Sequence, residues 1–461
     1  MRLTRGFGVL AALALSLTVA ACGGDPDAGP SGGSTSAGGT TAPTSPSPSP
    51  STSAASGGEP LTLTFGVYGN ASQVSAYRRI AEAYTDIDPD LTLKIRSWPD
   101  EDTMVTDLAS GGDVPDVFLT PDASLSELIA TGINQPVDTY LDARSVDLGD
   151  GYSRTAIQDF SRDKRLQCMP YLVSPEVVYV NTDLVDFDTM AKRGLPTPGK
   201  DSDSWSLEQF QAAVKFASKP RKGIRGLYVD PTVSGLTPWL VGAGGSLLDD
   251  AASPTQTAFA DSQDALSQLL PILSNGRFRL PVAAKEHDRA LSWFKRGKLA
   301  TMVGTRSLVP TLRATKGLHW DVMSMPGDGG STGDYTGLCM SAHPSDADAA
   351  ADFLAYLITS DAVGKLTRSG SVVPVNQQVA YANSFLQPNR APSHASVFTD
   401  ALKGMYALPS VRVLDQLERA VGPQVRRLLT AKGQDNLERL TGRIDDNSRS
   451  VFGGPTASPT S

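Results

Sequence analysis

The chain has 461 residues, of which 40% are hydrophobic and 20% charged, and its formal net charge is −8. This length can bury two hydrophobic cores, and the composition is that of an ordinary globular protein. Nucleic-acid binding needs a basic surface that replaces the counterions of the phosphates, so the acidic balance argues against a nucleic-acid partner.

The N-terminus has the pattern of a secretory signal peptide over residues 1–21. Arg2 and Arg5 precede an apolar run from Phe7 to Ala21, which is too short for a transmembrane helix. Removal of the two arginines takes the basic residues from 41 to 39 against 49 acidic ones, and the net charge to −10.

The signal ends in Val19-Ala20-Ala21-Cys22, which resembles the lipoprotein box of bacteria. The resemblance implies cleavage before Cys22 and attachment of lipid to this cysteine, whereas simple cleavage after Ala21 would release the protein. Residues 22–60 are mostly Gly, Ser, Thr, Ala and Pro, and predict a disordered tether behind the lipid. A similar composition predicts a disordered tail over 451–461.

The folded part begins with alternating strands and amphipathic helices. Leu61, Leu63, Phe65 and Val67 alternate with small or polar residues and predict a strand. The predicted elements that follow are a helix capped by Ser72, a strand over 91–95, a helix around Met104 to Leu108, a strand over 114–119 and a helix around Leu125 to Ile129. This order favours a parallel sheet with helical crossovers.

Ligands of such sheets meet the loops at the carboxyl ends of the strands. The predicted loops are Tyr68–Asn70, Ser97–Trp98 and Thr120–Asp122.

At this point the chain resembles a known family. The resemblance rests on the segments Leu61–Asn70, Asp88–Asp90, Ala109–Phe118 and Leu166–Asn181, and on Phe294–Met302 farther along. Together they look like extracellular solute-binding lipoproteins of ATP-driven importers, in the maltose-binding-protein class. The likeness spans about residues 61–440. It implies an α/β fold of two lobes, each a mostly parallel sheet flanked by helices, joined by a hinge of crossing strands.

The resemblance also implies the division of the chain. The first lobe would comprise residues 61–171 and about 340–390. The second would comprise about 172–339 and about 391–450. The hinge strands would be Arg165–Asn181 and Tyr335–Ser341.

Beyond Cys22, the chain contains Cys168 and Cys339. In an exported protein these could form a disulfide or remain two buried thiols. The resemblance places them on neighbouring hinge strands and thereby favours the disulfide.

A sugar-binding cleft needs flat aromatic faces and polar side chains from both lobes. The resemblance implies the following ligand-binding residues: Tyr68, Asn70, Trp98, Asp122, Tyr171, Trp239, Arg306 and Tyr335. Arg306 stands where related sugar binders often have Trp. Its guanidinium could bind an acidic sugar or a phosphate, or point into solvent.

Enzymatic signals are weak. The four histidines have no metal-ligand spacing, and Gly194–Asp201 imitates a phosphate-binding loop but ends in Asp201 instead of Ser or Thr. We therefore expect no catalytic residues, metal or cofactor. The expected function is capture of a solute, expected to be a carbohydrate, by a monomer that delivers it to an importer permease. A sensor lipoprotein of the same fold and an extracytoplasmic carbohydrate-active enzyme are the alternatives.

Overall fold

The computed structural model describes residues 60–149, 151–281, 287–327, 330–430 and 436–453. The predicted signal peptide, Cys22, the tether up to residue 59 and the tail from residue 454 lie outside the described residues. Within the described ranges, every helix is too short or too polar to cross a membrane.

The first sheet is mixed. Its strands are β1 (Leu61–Tyr68), β2 (Leu91–Trp98), β3 (Val117–Pro121), β4 (Asn134–Gln135), β7 (Cys168–Val173), β13 (Tyr335–Ser341) and β14 (Val373–Pro374). They lie in the order β14-β7-β13-β3-β1-β2, with β4 beside β13. Strand β1 runs parallel to β2 and β3, as predicted, whereas β13 runs antiparallel to β3 and β7.

The second sheet is smaller. It contains β8 (Val177–Asn181), β9 (Arg225–Leu227), β10 (Leu299–Gly304) and β11 (Trp320–Met323), in the order β11-β8-β10-β9. Two small pairings complete the strands: β5 (Ser161–Arg162) with β6 (Arg165–Leu166), and β12 (Ser331–Gly333) with β15 (Met405–Ala407).

Helices cover both sheets. Those of the first half of the chain are α1 (Ala71–Thr85), α2 (Glu101–Ala109), α3 (Leu125–Thr131), α4 (Asp138–Ala143), α5 (Arg154–Asp159), α6 (Phe187–Lys192), α7 (Leu207–Ala217) and α8 (Val233–Gly242). The later ones are α9 (Gln263–Leu273), α10 (His287–Lys295), α11 (Val309–Arg313), α12 (Ala347–Leu357), α13 (Ser360–Thr367), α14 (Gln377–Ala380), α15 (Asn383–Leu386), α16 (Val397–Asp400), α17 (Val411–Leu428) and α18 (Leu437–Ser448).

The alternation that predicted β1 is visible in its burial. Leu63, Phe65 and Val67 are fully buried, whereas Thr62 and Thr64 are partly exposed. Successive side chains of a strand point to opposite faces, so this pattern directs one face of β1 into the core.

Helix α1 begins two residues earlier than the sequence suggested. Asn70, not Ser72, is its N-cap. The Asn70 side chain accepts hydrogen bonds from the backbone N–H groups of Ser72 and Gln73, and the Gln73 side chain accepts one from the backbone N–H of Asn70. This reciprocal capping box outcompetes a cap at Ser72 because it satisfies three backbone donors.

The two sheets are joined by crossing segments. The backbone N–H of Ser174 donates to the carbonyl of Asp334 (2.9 Å), and that of Glu176 donates to the carbonyl of Thr332 (2.8 Å). These bonds hold the β7–β8 connection beside the segment that leads into β13. Strand β13 starts at Tyr335 and lies in the first sheet, so the predicted lobe boundary near residue 340 falls inside a strand.

The hydrophobic core is divided between the two faces of the second sheet. Val177 and Tyr179 of β8 belong to the cluster that also fills the first sheet, whereas Val178 and Val180 belong to a second cluster. Helices α17 and α18 contribute to this second cluster. One face of the second sheet is therefore continuous with the core of the first.

Cys168 and Cys339 form a disulfide. The residues lie directly opposite each other on β7 and β13, and both are fully buried. Both strands belong to the first sheet, and the cysteines lie away from the strand ends that meet the hinge, so the bond joins neighbouring strands of one lobe.

Candidate functional site

The hinge meets one particular edge of the first sheet. Strands β1, β2, β3 and β7 run in the same direction, and each has its carboxyl end at this edge. Strand β7 passes from there through Ser174 into the second sheet. This edge is where an open α/β sheet exposes its ligand-binding loops.

A cavity of about 70 Å³ lies at this edge and is shared by both lobes. Tyr68, Glu101 and Thr336 contribute from the first sheet and its helices. Arg306 contributes from the turn after β10 of the second sheet, and Asp334 from the crossing segment. We call this space the interlobe cavity. Its walls would move relative to each other if the hinge bent.

A second recess of about 150 Å³ lies on the side of the second sheet. It is lined by Glu176 from the hinge, by Tyr228, Asp230 and Trp239, and by Leu408 from the segment before α17. We call it the second-lobe recess. The two spaces place polar and aromatic groups on both sides of the hinge.

Tyr68 lines the interlobe cavity, and its role in ligand binding stays a prediction. It is the last residue of β1, and its hydroxyl lies 3.0 Å from the Thr336 hydroxyl. Burial, and next the negative charge of Glu101, raise the pKa of Tyr68, so the hydroxyl stays protonated at neutral pH. The ring and hydroxyl can both contribute to the interlobe cavity.

Arg306 lines the same cavity but is only 1% exposed. Its guanidinium carbon lies 3.9 Å from the ring centroid of Phe385 and 5.3 Å from that of Phe398, and one Nη donates to the Phe385 carbonyl at 2.6 Å. Nε and the other Nη have no hydrogen-bond partner among the described residues. Burial lowers the pKa of Arg306 to about 9. The alternative of an arginine pointing into solvent is therefore wrong.

Three carboxyl groups that the sequence did not single out lie in these spaces. Burial raises the pKa of Glu101 and that of Glu176 to about 7, and it raises the pKa of Asp334 well above the usual range. Glu176 Oε2 accepts a hydrogen bond from the Thr332 hydroxyl at 2.5 Å. In the described part of the chain, no hydrogen bond or ion pair reaches the carboxylates of Glu101 and Asp334.

A weak sequence signal existed for these groups. Glu101 follows the predicted second strand after Pro99-Asp100, Glu176 lies within the predicted hinge run, and Asp334 immediately precedes Tyr335. Position next to a strand end could have suggested them. Their partial burial, and the lack of a partner for Glu101 and Asp334 among the described residues, are visible only in the fold.

Asp122 and Tyr335 lie elsewhere along the same edge. Tyr335 is 5% exposed and lines a separate groove together with Tyr381 and Lys403. Asp122 begins the 3-10 turn after β3, and burial raises its pKa to about 6. Its Oδ1 atom has no hydrogen-bond partner among the described residues.

Three other predicted ligand residues have local structural roles. Asn70 caps α1. The indole N–H of Trp98 donates to Asp107 Oδ2 at 2.9 Å, and Tyr171 is 2% exposed in the first core. None of the three lines the interlobe cavity or the second-lobe recess.

Trp239 combines packing with access to the recess. It is 1% exposed, and its ring centroid lies 5.2 Å from that of Phe210 in the second core. One side of the indole lines the second-lobe recess. The expected residue is therefore at the recess, but most of its surface stabilises the lobe.

Residues 79–391 match the family described as bacterial extracellular solute-binding protein. The chain belongs to this family. Family membership places this solute-binding protein outside the cytoplasm. No curated protein matches the chain.

Solved structures share the two-lobed fold at low sequence identity. The solute-binding protein aligns with the ABC substrate-binding protein Lmo0181 of Listeria monocytogenes, in complex with cycloalternan, at a TM-score of 0.69 and 17% identity, covering 86% of this chain and 100% of that one. The GacH receptor of Streptomyces glaucescens aligns at 0.68 and 20%, covering 85% and 98%. Maltose-bound MalE3 of T. maritima aligns at 0.66 and 16%, covering 85% and 99%.

Proposed function

We propose that this solute-binding protein captures a sugar or oligosaccharide between its lobes and delivers it, chemically unchanged, to the permease of an ABC importer. The observation that carries the proposal is the interlobe cavity, whose walls include Tyr68 and Glu101 from one lobe and Arg306 from the other. Among the structural relatives, one is in complex with cycloalternan, one with acarbose and one with maltose.

Binding would act through closure of the lobes. A ligand that touches both walls binds the closed form more tightly, and the population shifts only by this difference in affinity. Arg412 of α17 lies 4.0 Å from Glu127 of α3. This exposed pair links elements of the two cores, and it is a contact that opening would break.

The N-terminal part of the proposal concerns anchoring. Lipid on Cys22 would hold the protein at the outer face of the cell membrane, with residues 23–60 as a tether, and the folded part would act as a monomer. The two lobes, with boundaries close to the predicted ones, would rotate relative to each other about the segments around Ser174 and Asp334.

The test is calorimetric titration of the intact chain, purified in detergent, with a panel of neutral, acidic and amino sugars. Unfolding experiments provide a second measurement. A ligand specific for the folded state, present at one hundred times its dissociation constant, adds about 2.7 kcal/mol to the free energy of unfolding. Ser307→Trp should abolish binding because it fills the interlobe cavity, whereas Ser253→Trp, on an exposed loop, should not.

Chromatography of the recovered sugar distinguishes binding from catalysis. The proposal expects the ligand to return intact after prolonged incubation. Turnover would instead support a carbohydrate-active enzyme. Binding without uptake in membrane vesicles that contain the permease would support a sensor.

A further inference from the structure

The carboxyl groups around the hinge form one electrostatic cluster. Glu101 and Asp334 line the interlobe cavity, and Glu176 and Asp230 line the second-lobe recess. After burial, the negative charges of Glu101, Asp122 and Glu176 raise the pKa of Asp334 further, and that of Asp230 acts on Glu176. The two spaces therefore share one field of negative charge.

The described residues that line the interlobe cavity carry little positive charge. Arg306 is the basic residue among those that line the two spaces, and it is already stacked on Phe385 and hydrogen-bonded to its carbonyl. Other charges near Glu101 are also negative, namely Asp100 and Asp102, and Asp415 of α17 acts on Asp102. Glu101 and Asp334 are partly shielded from water. Carboxylates in such places normally have a cationic or hydrogen-bonding partner, because isolation of the charge from water is costly.

The unpaired nitrogen atoms of Arg306 provide a second, independent sign of a ligand. The residue is 1% exposed, lines the interlobe cavity, and leaves Nε and one Nη without a partner among the described residues. Buried donors of this kind are normally satisfied by an acceptor such as a hydroxyl or water. A ligand that pairs with all of these polar groups in the interlobe cavity therefore needs hydrogen-bond acceptors near Arg306 and positively charged donors near Glu101 and Asp334.

On the basis of the function proposed above, we infer that the solute carries a protonated amine, which binds between the carboxylates of Glu101 and Asp334. A solute with hydroxyl groups as well as the amine, such as an amino sugar, also fits the Tyr68 and Thr336 hydroxyls and the Arg306 donors. A polyamine shares the ammonium chemistry but has no hydroxyl acceptors for Arg306.

Proton linkage follows from this arrangement. In the ligand-free cavity burial favours the neutral carboxylic acids, and an ammonium group favours the carboxylates. Binding of the amine therefore releases protons. Below the pKa of the carboxyl groups in the free protein, the affinity for the amine should rise about tenfold per pH unit for each proton released. The rise ends where these carboxyl groups are already ionised, or where the amine of the ligand loses its own proton. A neutral sugar binds without this linkage.

The experiment compares sugars of one scaffold. The intact chain is titrated with β-1,4-linked diglucosamine, with its di-N-acetyl derivative, with cellobiose and with spermidine, at pH 6 and pH 7.5. We expect diglucosamine to bind at least tenfold more tightly than cellobiose at pH 7.5, and its advantage to shrink at pH 6. If spermidine binds more tightly than diglucosamine, the inference of an ammonium ligand stands, but the ligand is a polyamine and not an amino sugar.

Variants locate the amine. Glu101→Gln and Asp334→Asn should each weaken the binding of diglucosamine at least tenfold more than they weaken the binding of cellobiose. Glu82→Gln, on the exposed face of α1, removes one charge outside the cavity and should change neither. A similar loss in all three variants would attribute the effect to net charge and overturn the assignment.

The outcomes separate this inference from the proposed function. Equal or tighter binding of cellobiose or the acetylated sugar would refute the ammonium ligand and leave solute capture intact. Absence of binding by every probe would refute the ammonium ligand and count against solute capture as well.

Discussion

Removal of the Cys168–Cys339 disulfide should destabilise the protein strongly without changing its affinity for ligand. The bond closes a loop with a sequence separation of 171 residues. By the chain-entropy relation, a cross-link over such a loop contributes roughly 5 kcal/mol, mainly because it restricts the unfolded chain. This contribution is a large fraction of the total stability of a typical domain.

The assay is urea unfolding of the Cys168→Ala/Cys339→Ala variant beside the unmodified protein. Both cysteines are fully buried, so the alanines also leave a small void that adds to the loss. The unmodified protein refolded in reductant, with free thiols verified by mass spectrometry, is the matched control. It lacks the cross-link but retains both sulfur atoms.

A loss below about 1 kcal/mol in the reduced protein would refute the entropic reasoning. Affinity gives an independent check, because the bond joins two strands of the first sheet and does not connect the lobes. Ligand dissociation constants should agree within about twofold. A tenfold change would contradict the location of the bond outside the moving part.

Further predictions concern single side chains. Asn70→Ala should lower the free energy of unfolding by about 1 kcal/mol through loss of the α1 cap, without a change in ligand affinity. A tenfold loss of affinity would instead show that Asn70 contacts the ligand. Trp239→Ala should lower it by about 3–5 kcal/mol in urea unfolding, since the indole is 1% exposed; a loss below about 1 kcal/mol would show that the second core does not depend on it. Glu101 and Glu176 have folded-state pKa values of about 7, above the ordinary 4.5, so the stability they contribute is present below pH 4.5 and is lost as pH rises to about 7. The double variant Glu101→Gln/Glu176→Gln should therefore lose less stability than the unmodified protein between pH 5 and pH 7.5, as measured by thermal unfolding without ligand; identical pH profiles would contradict the raised pKa values.

Local sequence patterns predicted those strands and helices whose formation depends mainly on residues that are neighbours in the sequence. The alternation over Leu61 to Val67 predicted β1 because a half-buried strand needs only period two. The cap of α1 was misplaced because Ser72 and Asn70 are both good capping residues. The choice between them depends on Gln73, which can reciprocate only for Asn70.

The site was harder to predict because burial depends on distant segments. Tyr171 looked like a cleft aromatic beside the hinge, but β7 is covered on both edges by β13 and β14 and its residues are all buried. Arg306 looked free to bind anions, but Phe385 and Phe398, far along the chain, enclose its guanidinium. The family resemblance predicted a cleft between the lobes, whereas the chemistry of the residues that line this cleft depends on long-range packing.

The position of β13 has a consequence for how the chain is made. This strand lies between β7 and β3 in the first sheet, although both of those are synthesised more than 160 residues earlier. A nascent chain that ends before Tyr335 therefore has a gap in the middle of its first sheet, with unpaired strand edges on either side. The first lobe cannot be completed until residue 341 of 461 has been made. The same topology that joins two lobes at a hinge thus delays completion of the first sheet until most of the chain has emerged.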